Sequence, residues 1–162
     1  MGRDLEGGCA CGKVRYRLKA EPMIVHCCHC TWCQRETGSA FVINAVIETS
    51  EVELAGEAPE MVLTPSASGR GQPIARCPHC HVAVWSHYQN AGELAAFVRV
   101  GTLDDKTALA PDVHIFTASK AAWLELTDGK PAFEDFYADP REVWSREASQ
   151  RWGALLALKR GQ

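Results

Sequence analysis

The sequence has no long apolar run. Its longest, Ala40 to Ile47, is broken by Asn44, whereas a helix crossing a bilayer needs about 20 consecutive apolar residues, so a membrane-spanning protein is not expected. Positive charge is not in excess either: 17 Lys and Arg stand against 20 Asp and Glu, for a net charge of -3. Without a basic face no field gathers phosphate backbones or anionic lipid, which argues against a nucleic-acid reader or a membrane-surface protein. Residues Met1 to Glu6 contain no apolar stretch of the secretory kind, and Glu6 stands where a myristoylation signal needs Ser or Thr. The expected location is therefore the cytoplasm. Internal repeats, a Ser-His-Asp order and a phosphate-cradling glycine loop are all missing.

What the sequence does have is cysteine, eight residues in 162. A cytosolic chain keeps its thiols reduced, so a disulfide framework is not expected. The spacing points to metal instead. Cys9 and Cys11 form one pair, Cys27, Cys28, Cys30 and Cys33 a cluster, and Cys77 and Cys80 another pair. Short-range pairs that recur far apart in a chain are the pattern of a zinc site, because each tight turn offers two sulfurs and two turns complete a tetrahedron.

The rest reads as one mainly β domain of ordinary composition, 46% hydrophobic and 23% charged. Period-two alternation in Lys13 to Leu18 puts Val14, Tyr16 and Leu18 on one face of a half-buried strand. Further strands are predicted at Met23 to His26, Ala40 to Ile47, Val52 to Leu54, Met61 to Thr64, Val82 to Tyr88, Leu94 to Val100 and Asp112 to Phe116. Gly and Pro clusters separate them, including the stretch from Ser66 to Pro73. The carboxyl end differs. Asp139-Pro140-Arg141-Glu142 carries the signals of a helix start, and Trp144, Ala148, Trp152, Leu155 and Leu156 follow at helical spacing. An amphipathic helix is predicted from Pro140 to about Lys159, packed on the same domain or joining it to another copy.

Cys9, Cys11, Cys77 and Cys80 make a complete shell of thiolates, which suits a structural zinc. Cys28, Cys30 and Cys33 are one ligand short. An open fourth position is what lets a catalytic zinc receive water or substrate, and three thiolates leave an incoming sulfur electron-rich, so a thiol substrate fits. Other readings of this cluster are a second closed site, with Cys27, His26 or His29 as fourth ligand, or a group of thiols that binds no metal.

Gly7-Gly8-Cys9-Ala10-Cys11-Gly12, then Cys28-His29-Cys30-Thr31-Trp32-Cys33-Gln34, Thr37-Gly38-Ser39-Ala40-Phe41, Cys77-Pro78-His79-Cys80, and later Gly101-Thr102-Leu103-Asp104 and Pro111-Asp112-Val113-His114-Ile115-Phe116 stand in this order. The series resembles the glutathione-dependent formaldehyde-activating enzyme family, whose domain also occurs in centromere protein V, over about residues 5 to 137. The resemblance implies a β-tent fold for a domain spanning 1–137, with 138–162 as a helical extension. It implies two zinc ions, one structural on Cys9, Cys11, Cys77 and Cys80 and one catalytic on Cys28, Cys30 and Cys33. The implied reaction is addition of glutathione to formaldehyde, formally that of a carbon-sulfur lyase. The rival expectation is a non-catalytic zinc module for protein interaction.

Two positions depart from the family pattern. His81 stands where Gly is usual after the second pair and would have to enter the left-handed region, and Cys27 adds a thiol beside Cys28. Arg35, Arg70 and Arg76 are candidates for glutathione carboxylates, with ordinary solvated arginines as the plainer reading. His87 and His114 read as structural histidines in strands, and Trp85 and Phe97 as core.

Overall fold

A computed structural model describes residues 5–162. It is mainly β, as the sequence predicts. The strands in chain order are β1 (Leu5–Gly8), β2 (Arg15–Leu18), β3 (Ile24–Cys28), β4 (Val42–Glu48), β5 (Val52–Leu54), β6 (Glu60–Thr64), β7 (Gln72–Arg76), β8 (Ala83–Ser86), β9 (Ala95–Arg99) and β10 (Val113–Ile115). Two α-helices accompany them, α1 (Thr31–Thr37) and α2 (Arg146–Arg160). No described helix is long and apolar enough to cross a membrane.

β1, β2 and β5 form a small antiparallel sheet. The large sheet has the order β10-β3-β4-β9-β8-β7-β6, antiparallel except where β10 runs parallel to β3. Alternation of side chains along each strand gives the large sheet two apolar faces. Ala45, Ile47, Ala96 and Val98 face Leu5, Val14, Tyr16 and Leu18 of the small-sheet side. Val42, Val46, Ala95 and Phe97 point the other way and are covered by Tyr137 together with Ala148, Trp152 and Leu155 of α2. Both faces being buried explains why β4 reads as a nearly continuous apolar run. Close approach of the layers demands Gly7, since a Cβ there would lie 2.6 Å from both the Thr102 carbonyl and the Tyr16 hydroxyl.

β1, α1 and β7 are elements that the sequence reading did not predict. α1 is capped by sulfur: Cys30 accepts a hydrogen bond from the Cys33 amide, and Gly38 closes the helix in the left-handed region at φ 64°. β7 begins with Gln72-Pro73, which read as part of a loop. Its Ile74 and Ala75 are fully buried between β6 and β8. β6, its outer neighbour, is an edge strand that exposes Met61, Val62 and Leu63.

The predicted helix start at Pro140 is corrected. Pro140–Glu142 is a single 3₁₀ turn, with Asp139 accepting from the Arg141 amide and pairing with its guanidinium. The break has a use, because it lets the Trp144 indole N–H donate to the Tyr137 hydroxyl while its ring packs on Trp152 at 5.6 Å. Ser145 then caps α2 proper by accepting from the Ala148 amide. Arg151 ties α2 to the sheet through a two-pronged pair with Glu48.

Candidate metal centres

Cys9 and Cys11 sit in the turn between β1 and β2, and Cys77 and Cys80 in the turn between β7 and β8. Both turns aim backbone N–H groups at sulfur: Val14 N–H lies 3.4 Å from Cys9 Sγ and His79 N–H 3.4 Å from Cys77 Sγ. The folding of the two sheets brings all four sulfurs within 4.8 Å of one another. Cys9 to Cys11 is 3.5 Å and Cys11 to Cys77 is 3.6 Å, close to the roughly 3.8 Å between two sulfurs that share a tetrahedral zinc at about 2.3 Å. The Val82 and Cys11 amides lower the Cys80 thiol to about 6. His81 occupies the left-handed region at φ 61°, with its amide on the Cys77 carbonyl. Its exposed ring is not in the group.

The second group sits where β3 ends and α1 begins. Cys28, Cys30 and Cys33 are gathered by the turn, with Cys28 and Cys33 sulfurs 3.4 Å apart and the Cys33 amide 3.3 Å from Cys30 Sγ. Hydrogen bonds from the Cys28 and Cys33 thiols, helped by the Cys33 and Trp32 amides, drive Cys30 far below the ordinary thiol range. The same sharing pushes the other two up, Cys28 to about 12. Three sulfurs crowd one place and the backbone favours charge on one. Among the described residues, no fourth Cys, His, Asp or Glu joins them. His26 shares the face of Cys28 but its Nε2 is 2.9 Å from the Tyr137 hydroxyl, and burial lowers it to about 4.

Cys27 and His29 are elsewhere, because successive residues of a strand point to opposite faces. Cys27 is paired in register with His114 of β10, and His29 lies two residues on, so all three meet on the other side of β3. Cys27 Sγ is 3.5 Å from His29 Nε2, which is 2.9 Å from His114 Nδ1. Asp128 holds the far nitrogen of His114 at 2.8 Å. The sequence reading missed this third group. Its members are 85 residues or more apart in part, and only the parallel pairing of β10 with β3 unites them.

The remaining candidates have other partners. Arg76 is engaged by Glu36 of α1 and by the His81 carbonyl, Arg70 donates to Gln89, and Arg35 is exposed in the last turn of α1. His87 is buried with Nδ1 2.7 Å from the Ala95 carbonyl, a structural contact. A cavity of about 500 Å³ lies between α1 and the Cys77–Cys80 turn, bordered by Glu36, Phe41, Arg76, His81 and Arg99 and by none of the second group's sulfurs.

Fold and sites together define a mainly β protein whose grouped cysteines could hold metal through sulfur. Residues 4–119 match the family described as glutathione-dependent formaldehyde-activating enzyme, and the chain belongs to that family. A protein of Halomonas elongata that bears the same name provisionally is 25% identical over 162 residues, covering 97% of this chain and 99% of its own. A crystal structure of a Rhodobacter sphaeroides protein is similar with a TM-score of 0.45 at 18% identity, covering 66% of this chain and 92% of that one.

Proposed function

We propose that this protein is a zinc-dependent carbon-sulfur lyase of the cytoplasm, which joins glutathione to formaldehyde or a similar small aldehyde. The observation that carries this reading is the convergence of Cys28, Cys30 and Cys33, in a chain of this family, without a fourth side-chain ligand among the described residues. A closed site would suit the rival interaction module, and none of the expected closing ligands, Cys27, His26 and His29, joins the group. The donor chemistry fits zinc in both thiol groups, with Cys9, Cys11, Cys77 and Cys80 in the structural role.

Zinc held by Cys28, Cys30 and Cys33 would supply a positive charge that keeps a fourth, incoming sulfur deprotonated at neutral pH. The chain prepares the place. Cys30 caps α1 and takes the Cys33 amide, while the side chains of Gln34 and Ser119 both donate to the His29 carbonyl, pinning the turn between Cys28 and Cys30. Cys28 and Cys33 are buried and Cys30 is half-buried beside exposed Trp32, so solvent approaches from the Cys30 side. In the reaction the glutathione sulfur bonds to the aldehyde carbon, the carbonyl π pair moves to oxygen, and the thiol proton ends there. The product is S-hydroxymethylglutathione, with no net oxidation.

The test is the rate of formaldehyde and glutathione consumption above the spontaneous rate, with zinc content and melting temperature, for Cys30→Ser and Cys33→Ser. Loss of turnover with the fold retained supports the proposal. A fully active Cys30→Ser enzyme removes it.

A further inference from the structure

We infer that Cys27, His29 and His114 form a third metal site, separate from the two thiol groups and selective for a borderline-soft divalent cation such as zinc. The three side chains are 1%, 0% and 5% exposed, so their polar atoms have no water to turn to. They come from β3, its continuation and β10, and the donor set is one sulfur and two imidazole nitrogens, a mixture suited to zinc.

The distances are near those a bound ion needs. A sulfur at about 2.3 Å and a nitrogen at about 2.0 to 2.1 Å from one tetrahedral ion lie about 3.5 Å apart, and two such nitrogens about 3.3 Å. Here the sulfur to His29 distance is 3.5 Å and the nitrogen to nitrogen distance 2.9 Å. The imidazoles need to part by only a few tenths of an ångström. Without an ion, the short contact is a hydrogen bond between the rings; His29 Nδ1 is buried without a partner and lies outside the donor set in either case.

The surroundings favour the ion. Asp128 on His114 Nε2 fixes the proton there and leaves Nδ1 as a lone pair aimed at Cys27 and His29, the carboxylate-histidine arrangement that orients metal ligands. The His29 backbone is held at both ends of its peptide: its amide donates to the Ile115 carbonyl, and its own carbonyl takes Gln34 and Ser119. Charge also balances, since one thiolate and the Asp128 carboxylate offset a divalent cation exactly once. Cys27 and Cys28 are adjacent in sequence yet serve different ions, because β3 turns them to opposite faces.

Cadmium NMR of the full chain loaded with one cadmium ion for each of the three groups tests this, because the cadmium shift separates sulfur-rich from nitrogen-containing shells. The expected spectrum has two thiolate resonances and a third upfield of both. Cys27→Ser should remove only the third, and zinc per chain should fall by one. Absence of the third resonance from the wild-type spectrum overturns the proposal, as does its persistence in Cys27→Ser. The wild-type spectrum decides alone if the variant fails to fold. Turnover is read separately through Cys30→Ser, so failure here leaves the enzyme proposal standing and the converse also holds.

Discussion

Single residues decide whether each cysteine group stabilises the chain or leaves a position open. With a zinc on Cys9, Cys11, Cys77 and Cys80 as proposed, removing one sulfur would break a link between the turn of the small sheet and the turn of the large one. Cys9→Ser or Cys80→Ser should therefore lose a zinc and lower the melting temperature by 10 °C or so, on the order of a few kcal/mol; a scan unchanged from wild type would contradict it. His81 illustrates a smaller effect. Its φ of 61° costs a side chain on the order of 1 kcal/mol that glycine does not pay. His81→Gly should raise the melting temperature by a degree or a few with zinc content unchanged, and a fall would mean the ring makes a contact worth more than the strain. The need for a left-handed residue at 81 followed from the family resemblance, in which glycine is usual there. The company of Cys27 was not, since no local rule tells which distant strand will lie beside β3.

Elements were legible where periodicity is strong and obscure where a cap or breaker misleads. Val14, Tyr16 and Leu18 announced β2, whereas α1 is seven residues long and hidden inside a cysteine motif whose cap is a thiol. β7 was masked by Pro73, which is tolerated there in the ladder between β6 and β8. The start signals at Asp139 and Pro140 are real, but they serve a 3₁₀ turn because Trp144 must reach Tyr137. α2 yields two predictions. Leu155→Ala opens a gap in the face that covers the large sheet and should cost about 2 to 4 kcal/mol in denaturant unfolding. The Glu48 pair gives a pH dependence. Burial opposes ionisation of Glu48 and Arg151 outweighs it, so the carboxyl titrates below its ordinary value of 4.5. A depressed acid stabilises above its unfolded pKa and loses that contribution as pH falls through the folded value. Protection of the α2 amides against exchange, after correction for slower intrinsic exchange in acid, should fall on acidification below about pH 4.5, and Glu48→Gln should flatten that response; an identical profile in the variant would exclude the pair as the cause.

At the scale of the whole molecule, metal-bound sulfur would do part of the work of a core. The small sheet has three short strands whose apolar side packs on the large sheet, and a metal on the four-cysteine group would fasten the two further. Chelation strong enough to strip all zinc should lower the melting temperature markedly, and an unchanged curve on confirmed metal-free protein would show that packing suffices. Truncation after Tyr137 uncovers the second apolar face, including Met23, Val46 and Ala95, and should lower solubility or change the oligomeric state in sedimentation. A truncated chain as soluble and as stable as the full one would reduce α2 to an appendage.

The large sheet also ends in β6, where Met61, Val62 and Leu63 are 46%, 38% and 70% exposed along an unpaired edge. Such an edge is an invitation to strand addition by another chain. It sets a colloidal limit that has nothing to do with metal or turnover: crowded or newly made molecules would fail first by stacking there. A gatekeeper charge such as Leu63→Lys should raise the concentration at which the protein stays clear while leaving zinc content and melting temperature where they were.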